Sequence, residues 1–323
     1  MDDMQCTTGV KELDNFIGGV KLGDNLVWEI DSGVPVQFFV SNYLQDSTKG
    51  TSKAVFVSFN ASPQTVLDRL GKLKSLKNLV LVDCFTSGKG NDEAIFSRFY
   101  KSAWKKYDAR VIHVKDPSDP EKLRKVINEF VLENNPCGRY VFDSLTGMLE
   151  LWGNESSVLK FFTRSCPCLY DLKALAYWLL ETRAHSETFL ANIKHITQVI
   201  IELDIDAGQN TLTIHKAYDR TSPGIGVPRY FMIENDLLKF GPKVERLPRQ
   251  LKGEKLLEQI GNKIKTERIK LNLSQGELAK RVDLTTSAIS QIESGLFIPS
   301  LNVLLRIMDN LGMKIDDLLI PYR

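Results

Sequence analysis

The sequence predicts an α/β domain, a mostly parallel sheet covered by helices, followed by a small all-α domain. Three observations lead there. Residues 1–240 alternate short, β-rich apolar runs with longer helical patterns, the alternation that produces a parallel sheet with helices on both faces. The stretch Gly241 to Gln250, with two prolines and mixed charge, breaks both patterns. Beyond it the apolar residues recur only at helical spacing. The chain is therefore read as a first domain at 1–240, a linker at 241–254 and a second domain at 255–323.

In chain order, the candidate strands are Leu26–Ile30, Ala54–Phe59, Leu79–Val82, Tyr140–Phe142, Ala174–Leu180, Gln198–Leu203 and Thr211–His215. The candidate helices between them are Val36–Gln45, Pro63–Leu73, Asp92–Tyr107, Pro120–Glu133, Glu155–Lys173 and Ser186–Ile193. The last two strands lie close together around Ala207-Gly208-Gln209-Asn210, which reads as a hairpin turn.

Bulk composition narrows the function classes. The chain has 323 residues, 43% hydrophobic and 25% charged, as in a soluble globular protein. Its formal net charge is +2, so any surface for nucleic acid must be local. The start Met1-Asp2-Asp3 is wrong for a signal peptide, and no apolar run has the length of a membrane span. A cytoplasmic location without membrane contact is the expectation. The five cysteines show no disulfide-rich spacing. Cys166-Pro167-Cys168 has no second Cys or His pair nearby at a zinc spacing, so these read as unliganded thiols and no metal is expected.

The most informative segment is Leu273-Ser274-Gln275-Gly276-Glu277-Leu278-Ala279 followed by Leu284 to Gly295. Ser274 can cap a helix, and Glu277, three residues on, completes a capping box. Val282-Asp283-Leu284 makes a turn with Asp283 as its left-handed residue, a conformation Asp tolerates better than most. Thr285 caps the next helix, and Ile289 and Ile292 give it one apolar stripe. Its other face holds Thr286, Ser287, Ser290, Gln291 and Ser294, side chains suited to base edges and phosphates.

The segment resembles the Cro and phage-repressor (XRE) type of helix-turn-helix, over about the last fifth of the chain. That resemblance puts a first helix at Leu256 to Leu271, a fourth lined by Leu304, Ile307, Met308 and Leu311 and ended by Gly312, and a short fifth at Ile315, Leu318 and Leu319. The resemblance departs from the family at Asp283, where glycine is usual. It implies double-stranded DNA as partner. Gln275 would contact phosphate or a base beside the groove, Thr286, Ser287 and Gln291 would meet base edges, and Thr285 and Ser290 would meet phosphates.

The first domain carries a second resemblance. Thr8-Gly9-Val10-Lys11-Glu12-Leu13-Asp14 to Gly18-Gly19, the strand-like Val57-Ser58-Phe59-Asn60-Ala61-Ser62-Pro63, and Tyr140-Val141-Phe142-Asp143-Ser144 are similar, in order and spacing, to KaiC-type RecA-superfamily domains. A working phosphate loop there reads G-x-x-x-x-G-K-[ST]. The matching stretch is Ile30-Asp31-Ser32-Gly33-Val34-Pro35-Val36-Gln37. Gly33 remains, but Val36 stands for the lysine and Gln37 for the magnesium hydroxyl. Pro35 removes an amide donor, and Asp31 adds a negative charge. Asn60 and Ala61 occupy the positions of the activating glutamates, and only Asp143 survives of the machinery. The domain therefore reads as a pseudo-ATPase without cofactor, kept for oligomerisation or sensing.

On the candidate helix at 92–107, Arg98, Lys101 and Lys105 share a face, with Phe96, Phe99, Ala103 and Trp104 interleaved. This is a solvated face of an amphipathic helix, or alternatively a second DNA or partner contact. Together the features point to a homo-oligomeric, sequence-specific DNA-binding transcriptional regulator. The alternatives are a nucleotide-binding or active ATPase with a non-standard loop, and an assembly protein whose last domain binds protein.

Overall fold

The computed structural model describes residues 6–47, 53–71, 73, 75–128, 138–206, 208–235, 237–243, 249–297 and 299–314. The chain forms two compact units, Met1–Val244 and Glu245–Arg323.

The first unit is built on one ten-stranded sheet. Its strands are β1 (Asn25–Ile30), β2 (Ala54–Ser58), β3 (Leu79–Asp83), β4 (Arg110–His113), β5 (Arg139–Asp143), β6 (Leu175–Glu181), β7 (Val199–Asp206), β8 (Gln209–Ala217), β9 (Arg229–Glu234) and β10 (Leu237–Lys243). Their spatial order is β10-β9-β8-β7-β1-β6-β5-β2-β3-β4. The strands from β7 to β4 in that order are parallel, and β8 to β10 extend the sheet antiparallel. The helices are α1 (Lys11–Ile17), α2 (Val36–Ser47), α3 (Pro63–Leu70), α4 (Ala94–Lys101), α5 (Pro120–Ile127), α6 (Leu145–Trp152), α7 (Glu155–Asp171) and α8 (Glu187–Ile196).

The continuous apolar runs of the central strands are explained by burial on both faces. Along β6, Leu175, Tyr177 and Leu179 enter one core with Trp28, Phe39 and Tyr43, whereas Ala176, Trp178 and Leu180 enter the other with Phe142, Met148 and Phe162. The period of two is thus present in where the side chains go, although hydrophobicity does not reveal it. Tyr43 stacks on Tyr177 at 3.9 Å between ring centroids, and Phe142 on Trp178 at 3.8 Å, one pair in each core.

Several expectations are corrected. The linker does not begin at 241, because β10 continues to Lys243 and a helix starts at Arg249. Pro242 is tolerated there because β10 is an edge strand whose register shifts between Phe240 and Lys243, where a missing N–H costs no ladder bond. The helix at 92–107 breaks at Ser102, leaving α4 and a 3₁₀ turn at Ala103–Lys106. Strand β4 is partly exposed at the sheet edge, and its short Arg110–His113 run lacks the apolar signature of its neighbours. Helix α7 carries Pro167 inside it, so Cys166 and Cys168 sit two positions apart and point away from each other. Cys166 is buried, Cys168 is half-buried and both are free thiols. No group of three potential metal ligands occurs among the described residues. Nor is any described helix long and apolar enough to cross a membrane.

The second unit contains α9 (Arg249–Lys270), α10 (Gln275–Arg281), α11 (Thr286–Glu293) and α12 (Leu301–Leu311). Ile264, Leu278, Ala279, Val282, Ile289, Ile292, Ile307, Met308 and Leu311 form its core. Gly312, at φ +65°, ends α12. The short helix expected at Ile315, Leu318 and Leu319 lies outside the described residues.

Candidate functional site

In the second unit the local chemistry fixes a pair of helices. Ser274 Oγ accepts from Glu277 N at 3.2 Å, and Glu277 Oε2 accepts from Ser274 N at 2.7 Å, closing the capping box. The Ser274 backbone N–H holds the Glu277 carboxyl below its usual range. Asp283 takes φ +54°, and Leu284 N closes the turn onto Ala279 O at 2.9 Å. Thr285 Oγ1 then accepts from Ala288 N at 3.1 Å, capping α11.

Two contacts set where α11 lies. A Cβ on Gly261 of α9 would stand 2.4 Å from Ile292 O and 2.6 Å from Glu293 O, so only glycine admits this approach. Arg268, also on α9, meets buried Glu293 through Nε at 2.6 Å and Nη2 at 3.0 Å, and donates from Nη1 to Leu273 O. Glu293 raises the Arg268 pKa further.

The arrangement leaves Thr285, Thr286, Ser287, Ser290 and Gln291 exposed. Gln275 is placed differently from the sequence expectation. It is half-buried, and its Nε2 donates to Glu293 Oε2 at 2.8 Å. The buried ion pair captures it because Glu293 has lone pairs left after binding Arg268. The Thr285 hydroxyl oxygen accepts the cap bond, and its proton remains to donate to an outside acceptor.

In the first unit, the carboxyl ends of β1, β2, β5 and β6 bring together the other candidate residues. Three amides of the loop after β1 bond within the loop. Ser32 N donates to Asp31 Oδ1 at 2.9 Å, Val34 N to Asp31 O at 3.4 Å and Val36 N to Val34 O at 2.9 Å. Arg183, beyond β6, pairs with Asp31 at 3.1 Å. A cavity of about 540 Å³ lies between them, lined by Ile30, Asp31, Gly33, Val34, Glu181 and Arg183. Gln37 turns instead into a separate cavity with Phe38, Ser41, Arg69 and Leu73.

Asp143 ends β5 and is buried. Burial, followed by the nearby Glu181 charge, pushes its carboxyl up to about 6 against the opposing pull of Asn60, Arg69 and Lys89. A polar chain surrounds it. Lys89 Nζ donates to Asn60 Oδ1 at 2.7 Å and pairs with Glu150. Asn60 Nδ2 donates to Ser144 Oγ at 3.1 Å, and Ser144 Oγ donates to Glu181 Oε2 at 3.2 Å. A Cβ on Gly147 would come within 2.5 Å of Asn60 Oδ1, so the amide sits directly against α6. Thr146 Oγ1 accepts from Glu181 N at 3.0 Å and meets His185 Nε2 at 2.8 Å. Burial pushes the His185 pKa down.

Sequence reasoning located Gly33, Val36, Gln37, Asn60 and Asp143 but missed Lys89, Glu150, Glu181, Arg183 and His185. They come from loops and helices whose convergence is set by strand order. The spacing of Lys89 in Ser87-Gly88-Lys89-Gly90 gives no sign that its ammonium meets Asn60.

Comparison with known proteins bears on the second unit most directly. Residues 264–318 match the family model described as Helix-turn-helix. An uncharacterized HTH-type transcriptional regulator of Methanocaldococcus jannaschii is 39% identical over 59 residues, which span 18% of this chain and 89% of that protein. Through this unit the chain belongs to the helix-turn-helix family. Among solved structures, the flagellar accessory protein FlaH of Methanocaldococcus jannaschii is similar at a TM-score of 0.46 and 16% identity. That similarity covers 72% of this chain and 96% of the other.

Proposed function

We propose that this protein is a sequence-specific, DNA-binding transcriptional regulator. The observation that carries the reading is the outer face of α11. A capped helix, held at a glycine crossing and an ion pair, presents Thr286, Ser287, Ser290 and Gln291 to solvent. Hydroxyls and an amide on an exposed helix of such a pair are the chemistry of major-groove contact. Gln291 is the strongest candidate for direct readout, since its amide can pair bidentately with adenine. Thr285 and Ser290 serve phosphates.

The first unit, in this reading, is an inactive relative of KaiC-type RecA-like ATPases that serves oligomerisation or sensing. Three features support inactivity. The Ser32, Val34 and Val36 amides bond within the loop. Val36 and Gln37 supply neither a cation nor a hydroxyl. Asn60 is a neutral amide engaged by Lys89 and Ser144. We take the protein to act in the cytoplasm as at least a dimer, because helix-turn-helix units commonly read paired half-sites.

Selection of bound duplexes from a random pool by the full chain tests the central claim. Enrichment of one sequence, arranged as two half-sites, is expected. Failure to enrich any sequence would remove the regulator reading. Light scattering at micromolar concentration that finds only monomer, with and without the selected duplex, would remove the oligomer.

A further inference from the structure

Segment 94–107, α4 and the turn after it, is a surface that neither unit's proposed role uses. It contains Arg98, Lys101, Lys105 and Lys106 and no acidic residue; Asp92 and Glu93 precede it and Asp108 follows it. Lys106 is engaged, 3.5 Å from Asp68 and 4.5 Å from the centre of the Tyr107 ring. Arg98, Lys101 and Lys105 are exposed and have no ion-pair or side-chain hydrogen-bond partner among the described residues.

The aromatic residues of the segment divide in two. Phe99 is buried, Phe96 packs edge-on against Phe85 at 4.9 Å, and Tyr100 donates to Asp83 and stacks on His113. These hold the helix to the unit. Ile95 and Trp104 stay outside, 57% and 47% exposed. Arg98 and Lys101, one turn apart, share a face of α4, and Trp104 and Lys105 lie on the turn that follows.

We propose that α4 and its following turn form a second DNA contact, with Arg98, Lys101 and Lys105 on backbone phosphates and Trp104 against the sugar edge. The argument is charge complementarity. Unpaired cations on an ordered surface gain by releasing the counterions condensed on a polyanion. An acidic protein would satisfy the same charges, but DNA is favoured because the chain already carries a helix-turn-helix unit. The inference rests on the regulator reading for the identity of the polymer, not for the surface.

Trp104 provides a local probe. Trp28 and Trp178 are fully buried, and Trp152 is half-buried with its Nε1 bonded to Pro117 O. The experiment uses the full chain with a non-specific duplex of about two helical turns, added at low salt. Tryptophan fluorescence should change on binding, and the change should vanish in Trp104→Phe. In a chain carrying Arg98→Gln, Lys101→Gln and Lys105→Gln, log K against log salt should flatten by about one for each cation removed, about three in all. These glutamines replace exposed side chains, and an unchanged melting temperature shows that the fold is intact.

An unchanged salt slope in that triple variant, with Trp104 emission unaffected by saturating duplex, would overturn the proposal. Poly-glutamate altering Trp104 emission where duplex does not would also overturn it, in favour of an acidic protein partner. Repeating the titration in a chain with Thr286→Ala, Ser287→Ala and Gln291→Ala separates the two claims. Loss of sequence preference with the Trp104 response retained supports this surface. Preserved sequence selection with an unchanged salt slope refutes it while leaving the regulator intact.

Discussion

Arg268 and Glu293 face each other across α9 and α11 as a buried, two-pronged ion pair, at 2.6 Å and 3.0 Å. The pair also fixes Gln275 and the Leu273 carbonyl, so one carboxylate ties together three of the helices' termini. Removing one partner leaves the other charge buried and unpaired. Glu293→Ala should destabilise the second unit by about 3–5 kcal/mol. The double change Arg268→Met with Glu293→Leu should cost much less, because it removes both charges. Denaturant unfolding followed by circular dichroism measures both, and equal losses in the two variants would show that the charges are not the reason.

Gly261→Ala tests the crossing of α9 over α11. Alanine favours a helix by nearly 1 kcal/mol over glycine. Here its methyl would stand 2.4 Å from Ile292 O, which cannot yield without moving α11. A net loss of about 1–3 kcal/mol is expected, together with weaker binding to the selected duplex. A raised melting temperature would mean that the helices do not approach as described.

Gln291 and Gln275 should separate in mutation. Gln291→Ala, on the exposed face, should cost about 1–3 kcal/mol at the selected site and relax the preference at one base pair. It should leave the melting temperature unchanged. Gln275→Ala removes a donor from Glu293 and should lower stability more than base preference. Binding measured across single-base variants of the selected site distinguishes them, and loss of a base preference in Gln275→Ala would return that residue to the readout.

Asp143 predicts a pH dependence of the first unit. Its carboxyl rises from 3.8 to about 6 on folding, so between those values the native state holds a proton that the unfolded chain has released. Stability from this group is complete below about pH 4 and is lost as pH rises through about 6. A shift of this size corresponds to roughly 3 kcal/mol. Urea unfolding of the full chain between pH 4.5 and 7.5 should show this decline, and Asp143→Asn should flatten it. Parallel curves for the two proteins would assign the dependence elsewhere.

A further expectation for the first unit is the absence of ATP hydrolysis. Steady-state phosphate release with magnesium and ATP should stay at background, and Asp143→Ala should not lower it. Protein-dependent turnover that disappears in Asp143→Ala would make the domain a live ATPase.

By itself the sequence determined the elements whose signals are local. Ser274 with Glu277, Thr285 with Ala288 N and the left-handed Asp283 are short-range chemistry, readable because each bond spans only a few residues. The buried runs of β1, β2, β3, β5 and β6 were legible for a similar reason, since a strand covered on both faces reads as a nearly continuous apolar run. Edge elements were not. Strand β4 and the Pro242-bearing β10 lack that constraint because one side of each meets solvent. What only the tertiary structure decided was convergence. Lys89 reaches Asn60 across 29 positions, Glu181 reaches Ser144 across 37, and Arg268 reaches Glu293 across 25. Which side chains meet at such separations depends on strand order and helix crossing, and residue spacing along the chain carries no record of either.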